Sequence, residues 1–388
     1  MTLRDRLASY ARADRPIAFK GDPGVDEILS DPARLPVRVG SFDCQLIDRR
    51  IVGTGWLGSP KSQSTRPPRV VFSSIKGGVG RSSALVIAAA DLARNNKNVL
   101  VVDLDLEAPG LGDLLLSPDR MPKLGVIDFL VENGIGGVPD SLLNDFIGIS
   151  TLTSASGGRV DVIPALGGQS SENAANVLPK LARAMVEDFT EDGGLVPVSE
   201  QIATMISSFI AKNSYDIVLI DSRAGLAEIS APSIISLGAT VLLFGTTQLQ
   251  TVRGYRALLA TLGQLARRDR ARGFNADWRL SLKAVVAKTT LQEETLAAHR
   301  DALYDVFAEE LYDEDSNSLD DINFNIDDRE APHWPLVIPF NSAFIQFDPL
   351  RDPSHLTSAF YEQTFQPFLS GLYALLNLDD LSDNSTVA

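Results

Sequence analysis

The sequence predicts an α/β fold, a doubly wound and mostly parallel sheet with a small N-terminal extension. Three observations predict this fold class. Six short runs rich in Val, Ile and Leu recur along the chain, stretches of helical composition separate them, and a glycine-rich segment joins the first run to the first helix. Runs that are apolar throughout are typical of strands buried on both faces. Their alternation with helices favours a parallel sheet.

The six apolar runs give the order of the predicted elements. They are Val70–Phe72, Val99–Val102, Ile217–Ile220, Thr240–Phe244, Leu282–Val286 and Leu336–Ile338. A helix is expected over Ala84–Arg94, after the glycine-rich segment, and another over Leu356–Leu376, with a break at Pro367. The segments 106–214 and 290–334 must also hold helices or insertions, because structureless loops of that length are rare.

The N-terminal residues differ in composition from the rest of the chain. Leu3–Ala13 is predicted as a short helix and Val37–Val52 is strand-like, whereas residues 58–68 have the Pro, Ser and Gly content of a linker. We therefore predict an N-terminal extension and linker over residues 1–65. Residues 66–388 are predicted to form one domain.

Composition excludes several classes of protein. The 388 residues include 35 Lys+Arg and 50 Asp+Glu, and the net charge of −15 disfavours coating of nucleic acid or anionic membrane through the overall field. A single cysteine, Cys44, excludes an intrachain disulfide and a metal site built from several cysteines. There is neither an apolar stretch of about 20 residues that would span a bilayer nor a secretory signal, so a cytoplasmic protein without membrane insertion is expected.

The glycine-rich segment predicts a phosphate-binding loop. It reads Lys76-Gly77-Gly78-Val79-Gly80-Arg81-Ser82-Ser83, and it follows a predicted strand and opens a predicted helix. Glycines allow backbone N–H groups to converge on phosphate oxygens, and the helix N-terminus adds partial positive charge. The Ser82 hydroxyl stands where it can reach Mg²⁺. A strict Walker A pattern fails twice, since Ile75 replaces its first glycine and Arg81 its lysine.

Carboxylates follow two of the predicted strands. Asp103 and Asp105 come after the second apolar run, and Asp221 comes after the third. Because carboxyl ends of adjacent parallel strands lie beside such a loop, these acids are candidates for holding nucleotide-bound Mg²⁺. Each acid alone could equally be a solvated turn residue or a helix cap.

These segments resemble the deviant Walker A P-loop ATPases of the MinD/ParA class, over roughly residues 69–375. Lys76 matches the extra lysine of their K-G-G-x-G-K-[ST] motif, Asp103 and Asp105 match their D-x-D, and Tyr215–Asp221 matches their Walker B strand. Arg159–Ala165 is similar to their strand ending in Ile-Pro-Ala, and Thr240–Leu258 to the next strand and helix. With arginine in the loop, the chain is identified as a member of the K-G-G-V-G-R variant subgroup.

The resemblance implies ATP and Mg²⁺ as cofactors and an ATP-dependent homodimer. The implied nucleotide-binding residues are Lys76, Gly77, Gly78, Val79, Gly80, Arg81, Ser82 and Ser83. Lys76 would contact phosphate across the dimer interface and assist catalysis, and Asp105 would position or activate the attacking water. Ser82, Asp103 and Asp221 would hold Mg²⁺ directly or through water. Residues Asp221–Gly225 would sense the γ-phosphate.

The chain departs from this class at three places. Arg81 keeps the charge of the Walker A lysine but is bulkier and forked, so slow hydrolysis is expected. The fifth strand ends Ala287-Lys288-Thr289-Thr290 where many relatives have an adenine-reading Asn, which leaves the choice between adenine and guanine open. Ser222 follows Asp221, near the place where many relatives have a proline.

Two charged segments are candidates for contacts. One contains Arg253, Arg256, Arg267, Arg268, Arg270 and Arg272 against Asp269. Residues 301–330 contain twelve acidic residues and one base, Arg329, and are predicted as an acidic insertion. A solvated surface is the ordinary interpretation of either segment. The alternatives are a DNA contact for the arginines and docking to a partner, or to the chain itself, for the acidic segment.

The sequence therefore favours an ATP-binding, dimerising switch that hydrolyses ATP and captures and releases one or more partner proteins. By analogy with arginine-variant relatives, it would serve a multicomponent bacterial signalling or defence system. A DNA-associated partitioning or positioning ATPase is the first alternative, with nucleic-acid binding not favoured. A catalytically inactive, nucleotide-dependent scaffold is the second.

Overall fold

A computed structural model describes residues 19, 21–30, 34–47, 54–63, 66–153, 157–189, 195–313 and 321–378. Its strands are β1 Arg34–Val39, β2 Phe42–Ile47, β3 Arg69–Ser74, β4 Asn98–Leu104, β5 Gly148–Ile149, β6 Arg159–Ile163, β7 Asp188–Phe189, β8 Leu195–Val196, β9 Ile217–Ala224, β10 Thr240–Gly245, β11 Leu282–Thr289 and β12 Leu336–Pro339. Its α-helices are α1 Val25–Ser30, α2 Arg81–Arg94, α3 Leu111–Leu115, α4 Val126–Gly136, α5 Gly168–Glu172, α6 Val177–Ala184, α7 Val198–Lys212, α8 Leu249–Ala271, α9 Glu293–Glu310 and α10 Ser358–Leu375.

Within the described residues, the central sheet has eight strands in the order β12-β11-β10-β3-β9-β4-β6-β5. Seven strands are parallel, and only the short edge strand β5 runs antiparallel to its neighbour β6. Each of the six predicted apolar runs is a strand of this sheet. The chain passes from β3 to β4 across the position of β9, so the loop after β3 lies where the strand order reverses.

Apolar side chains cover both faces of the sheet. Along β3, Val70 and Phe72 belong to one core and Val71 to the other. The first core contains α2 and α10, and the second contains side chains of α4, α7, α8 and α9. Because strand side chains alternate between faces, a strand buried on both sides needs apolar residues throughout. The predicted doubly wound, mostly parallel α/β fold is confirmed.

The final long helix corrects one prediction. We expected a break at Pro367, but α10 runs without interruption from Ser358 to Leu375 with this proline inside it. Proline removes one helical hydrogen bond, which weakens a helix. Here Phe365, Phe368 and Leu372 are buried in the core shared with α2, and this packing holds the helix together.

The strand-like pattern over 37–52 becomes a hairpin. Strands β1 and β2 pair antiparallel around a turn at Gly40, whose φ of 62° favours glycine. Residues 48–52 and the helix predicted at Leu3–Ala13 lie outside the described residues. Leu35 and Trp56 join the core that contains α8. In the described part of the segment predicted as a linker, the backbone N–H of Lys61 donates to the Ile235 carbonyl at 2.8 Å.

Candidate functional site

The loop between β3 and α2 has the conformation that its glycines predict. Gly78 and Gly80 have φ values of 75° and 94°, which residues with a Cβ rarely adopt. Val79 between them is 5% exposed and anchors the loop to the core. Helix α2 begins at Arg81, and its first i to i−4 bond runs from the N–H of Ala84 to the Gly80 carbonyl at 3.0 Å. The preceding N–H groups leave a helix terminus suited to an anion.

The side chain of Arg81 lies beneath this loop and is only 8% exposed. Its Nη2 donates to Oδ2 of Asp105 at 2.8 Å, its Nε donates to Asp221, and its Nη1 donates to the Ser74 hydroxyl at 3.3 Å. Burial disfavours the charged guanidinium, but Asp221 and Asp105 outweigh that effect and raise the pKa of Arg81. The sequence predicted that Arg81 cradles phosphate. In this structure its guanidinium is bound by two carboxylates, and its contact with phosphate stays a prediction.

Strand pairing brings the predicted magnesium-binding residues together. Asp103 and Asp221 stand opposite each other in the β4–β9 register, and the Ser82 hydroxyl donates to Oδ2 of Asp221 at 2.7 Å. Asp103 accepts hydrogen bonds from the N–H groups of Asp105 at 3.0 Å and Leu111 at 3.2 Å. Burial, reinforced by the charge of Asp221, raises the pKa of Asp103 to about 7.

These residues fit a Mg²⁺ ion that arrives with a nucleotide. The Ser82 oxygen keeps lone pairs after donating its proton, whereas both oxygens of Asp221 already accept hydrogen bonds. Within the described part of the chain, no group of three or more His, Cys, Asp or Glu residues could hold a metal ion. A bound Mg²⁺ would therefore need phosphate oxygens and waters beside Ser82 and Asp221, which is how Mg²⁺ usually binds nucleotides.

Lys76 stands at the front of the loop, and its ammonium donates to the side chain of Gln250 in α8.

The two carboxylate oxygens of Asp105 have different surroundings. One oxygen of Asp105 binds Arg81, while the other is buried without a hydrogen-bond partner. A buried carboxylate oxygen of this kind is a position at which a water or ligand proton could bind.

The segment after Asp221 is tied to the segment after β4. Arg223 forms an ion pair with Glu107, and the N–H of Gly225 donates to the Ser74 carbonyl at 2.8 Å. The β3–β9 register shifts between Phe72 and Ser74, at the level of these contacts. The predicted γ-phosphate-sensing residues thus adjoin the loop at its base, in contact with the strand that precedes it.

Lys288 was missed as a site residue. Its ammonium donates to the carbonyl of Gly78 at 2.7 Å, from the carboxyl end of β11. With Val79, Gly80 and Ser83 it lines a cavity of about 60 Å³ that also reaches Asn341. The side chain of Asn341 donates to Thr364 and accepts from the N–H of Ala343, so both ends of its amide already have partners. The sequence signal was a lysine near the carboxyl end of the mostly apolar strand β11.

The arginine-rich and acidic segments meet inside the chain. Arg256 pairs with Glu309 at 2.6 Å, and Arg270 pairs with Asp313 at 2.7 Å. Residues 301–310 are the second half of α9, so the acidic segment begins within a regular helix, and 314–320 lie outside the described residues. The fully buried Arg268 donates to the carbonyl of Gly58 at 3.0 Å. Arg256, Arg268 and Arg270 therefore have protein acceptors, which weakens the case for a DNA contact.

The chain is similar to several solved structures at low sequence identity. No family model matches this chain, and no curated protein matches it. Among solved structures, the MinC:MinD cell division complex of Aquifex aeolicus is 17% identical with a TM-score of 0.48, over 79% of this chain and 96% of that chain. A ParA family ATPase from Chlorobium tepidum TLS is 17% identical with a TM-score of 0.47, over 78% and 98%. An ATP complex of McdA from Cyanothece is 15% identical with a TM-score of 0.47, over 82% and 98%. With TM-scores under 0.5 and identities under 20%, these likenesses carry no argument about the role of this chain.

Membrane insertion was also expected to be absent. Among the helices of the described residues, none has the length and apolar character that crossing a bilayer requires.

Proposed function

We propose that this chain is an ATP-binding switch protein of the deviant Walker A type, in its arginine variant. The observation that carries the proposal is the meeting of a glycine loop at a helix N-terminus with Asp103, Asp105 and Asp221 at the ends of neighbouring strands. A loop of this kind binds phosphate, and the acids beside it suit the charges of Mg²⁺ and an attacking water.

The proposed roles are those that the sequence predicts, with one condition on Arg81. Residues 76–83 would bind the nucleotide, Ser82, Asp103 and Asp221 would hold Mg²⁺, and Lys76 and Asp105 would act in hydrolysis. Arg81 would have to leave its carboxylates before it could reach phosphate. Since that exchange breaks two buried ion pairs, we propose that hydrolysis is slow.

ATP binding would join two copies of the chain and so control a partner protein. Size measurement of the full chain with and without ATP and Mg²⁺ tests this directly, and we expect a dimer only with both present. A monomer under both conditions would contradict the switch. Binding to unrelated DNA at low salt that is lost at high salt would instead support the partitioning alternative.

A non-hydrolysing scaffold is the second candidate, because the bond to Arg81 occupies one oxygen of Asp105. ATP hydrolysis by the wild type, Asp105→Asn and the exposed control Asp113→Asn separates the two. We expect turnover in the wild type and control and its loss in Asp105→Asn, with ATP binding retained in all three. If the three proteins bind ATP and all turn over at the background rate, the scaffold is favoured.

A further inference from the structure

Lys288 has an unusual backbone conformation at the edge of the phosphate loop. Its φ is 55°, in the left-handed region that side chains with a Cβ rarely adopt. The pairing of β11 with β12 is irregular between Ala287 and Thr289, on either side of it. Conformations of this kind persist where surrounding structure imposes them, and they concentrate at functional sites.

This conformation directs the side chain across the loop. The Nζ atom lies 2.7 Å from the Gly78 carbonyl oxygen, and Cε lies 3.6 Å from the position that a Cβ on Gly80 would take. An ammonium group has three N–H donors, of which the Gly78 carbonyl uses one. Since Lys288 is exposed, the remaining donors can face an entering ligand.

The Lys288 ammonium differs from the Arg81 guanidinium in how far its charge is neutralised by carboxylates. The Arg81 guanidinium is bound by Asp105 and Asp221, so much of its charge is already neutralised beneath the loop. Within the described part of the chain, Lys288 forms no ion pair. A phosphate chain entering the loop would meet Lys288 as a cation that no carboxylate has neutralised.

We propose that Lys288 is a nucleotide-binding residue whose ammonium binds the phosphate chain of a nucleoside di- or triphosphate. Lys288 would supply positive charge to the phosphates, because the charge of Arg81 is already paired with Asp105 and Asp221. The hydrogen bond to the Gly78 carbonyl holds the Lys288 ammonium at the rim of the loop. This inference rests on the proposed function, because it requires that the loop bind a nucleotide.

The test compares Lys288→Met and Lys288→Arg with the control Lys212→Met. Lys212 also donates one hydrogen bond from an exposed ammonium to a carbonyl, that of Asp140 at 2.8 Å. It stands at the end of α7, before the amino end of β9, whereas Lys288 lies near the carboxyl end of β11. Calorimetric titration of the full-length proteins with ATP, ADP and adenosine gives the affinities.

We expect Lys288→Met to weaken ATP binding about tenfold and ADP binding less, with adenosine binding unchanged, because lost charge acts on phosphate. Lys288→Arg should restore most of the ATP affinity, and Lys212→Met should match the wild type. The deficit of Lys288→Met should shrink at high salt.

Three results would overturn the inference. Equal ATP affinity in the wild type and Lys288→Met would show that the ammonium does not bind phosphate, and the proposed function would survive. An equal loss of affinity for ATP and adenosine would show that Lys288 only shapes the cavity. A wild type that binds none of the three ligands would overturn the proposed function and this inference together.

Discussion

Nη2 of Arg81 donates a hydrogen bond to Oδ2 of Asp105 at 2.8 Å, and both side chains are nearly buried. The same guanidinium holds Asp221 through Nε. The residue expected to contact phosphate therefore neutralises two acids expected to serve Mg²⁺ and water. The Arg81 guanidinium therefore neutralises the negative charge of Asp105 and Asp221. A nucleotide that brings Mg²⁺ to these acids would have to displace the guanidinium from them.

Replacing Arg81 should destabilise the fold. In Arg81→Ala, Asp105 and Asp221 would remain buried without their cation, which typically costs about 3–5 kcal/mol of unfolding free energy. Arg81→Lys should lose less, because an ammonium can satisfy one acid but lacks the fork that reaches both. Urea unfolding of the nucleotide-free protein measures the loss.

The matched control for Arg81 is Arg256→Ala, which breaks the exposed pair with Glu309 and should cost about 0–1 kcal/mol. The double variant Arg81→Met with Asp221→Asn should recover part of the stability that Arg81→Met alone loses. Equal costs for Arg81→Ala and Arg256→Ala would show that the buried pairs add no stability.

Asp103 should make stability depend on pH. Burial raises its pKa from 3.8 to about 7, so the folded state holds a proton that the unfolded state releases. Stability from this group is therefore full below about pH 4 and is lost as the pH rises to about 7, at up to about 1.4 kcal/mol per unit. The asparagine in Asp103→Asn does not titrate in this range, so the variant lacks this pH dependence.

The measurement for Asp103 is urea unfolding at pH 5 and pH 8, without nucleotide and with a chelator present. Relative to the wild type, Asp103→Asn should gain about 2 kcal/mol in unfolding free energy between the two pH values. A constant difference between variant and wild type would mean that Asp103 is ionised throughout this range.

Asp313 joins two arginines near the end of α9. It accepts from Arg279 at 3.0 Å and from Arg270 at 2.7 Å, and Arg279 is 1% exposed. Burial opposes ionisation of Asp313, but the hydrogen bonds from Arg279 and Ile322 and the charges of both arginines hold its pKa below the usual value. Its contribution is therefore present above about pH 4 and is lost as the solution becomes more acidic.

At neutral pH, Asp313→Ala should lower the unfolding free energy by about 3 kcal/mol, because Arg279 would remain buried without its acid. Thermal unfolding against the exposed control Asp301→Ala checks this loss. The gap between Asp313→Ala and the wild type should narrow below pH 4. An Asp313→Ala protein as stable as the control would contradict the role of this contact.

Arg268 should hold the segment 54–63 on the domain. Its guanidinium donates to the Gly58 carbonyl at 3.0 Å and to the Ser59 hydroxyl at 2.9 Å. In Arg268→Met these acceptors lose their partner, so opening of the segment should become easier. In Arg268→Met, trypsin should cleave after the exposed Lys61 several-fold faster than in the wild type. The control is Arg267→Met, which replaces an exposed arginine and should be cleaved at the wild-type rate. Unchanged cleavage would show that other contacts hold the segment.

The elements closest to the loop were the most predictable ones. An apolar run such as Val99–Val102 predicts a strand buried on both faces. The glycines before Arg81 predict a tight loop because they allow backbone conformations that other residues rarely adopt. Both signals are local, so they can be read from the sequence. The break expected at Pro367 was wrong because packing of α10 outweighs the local effect of one proline.

The sequence by itself determined the sheet class, the strand–loop–helix unit and the acids that follow its strands. Only the tertiary structure decided which charges meet, because Arg81 lies 140 residues from Asp221 and Lys288 lies 210 residues from Gly78. Those contacts depend on the order in which β3, β9, β4 and β11 are placed, and no local pattern states that order. A long, flexible lysine or arginine side chain can reach several acceptors, and the folded chain determines which of them it binds.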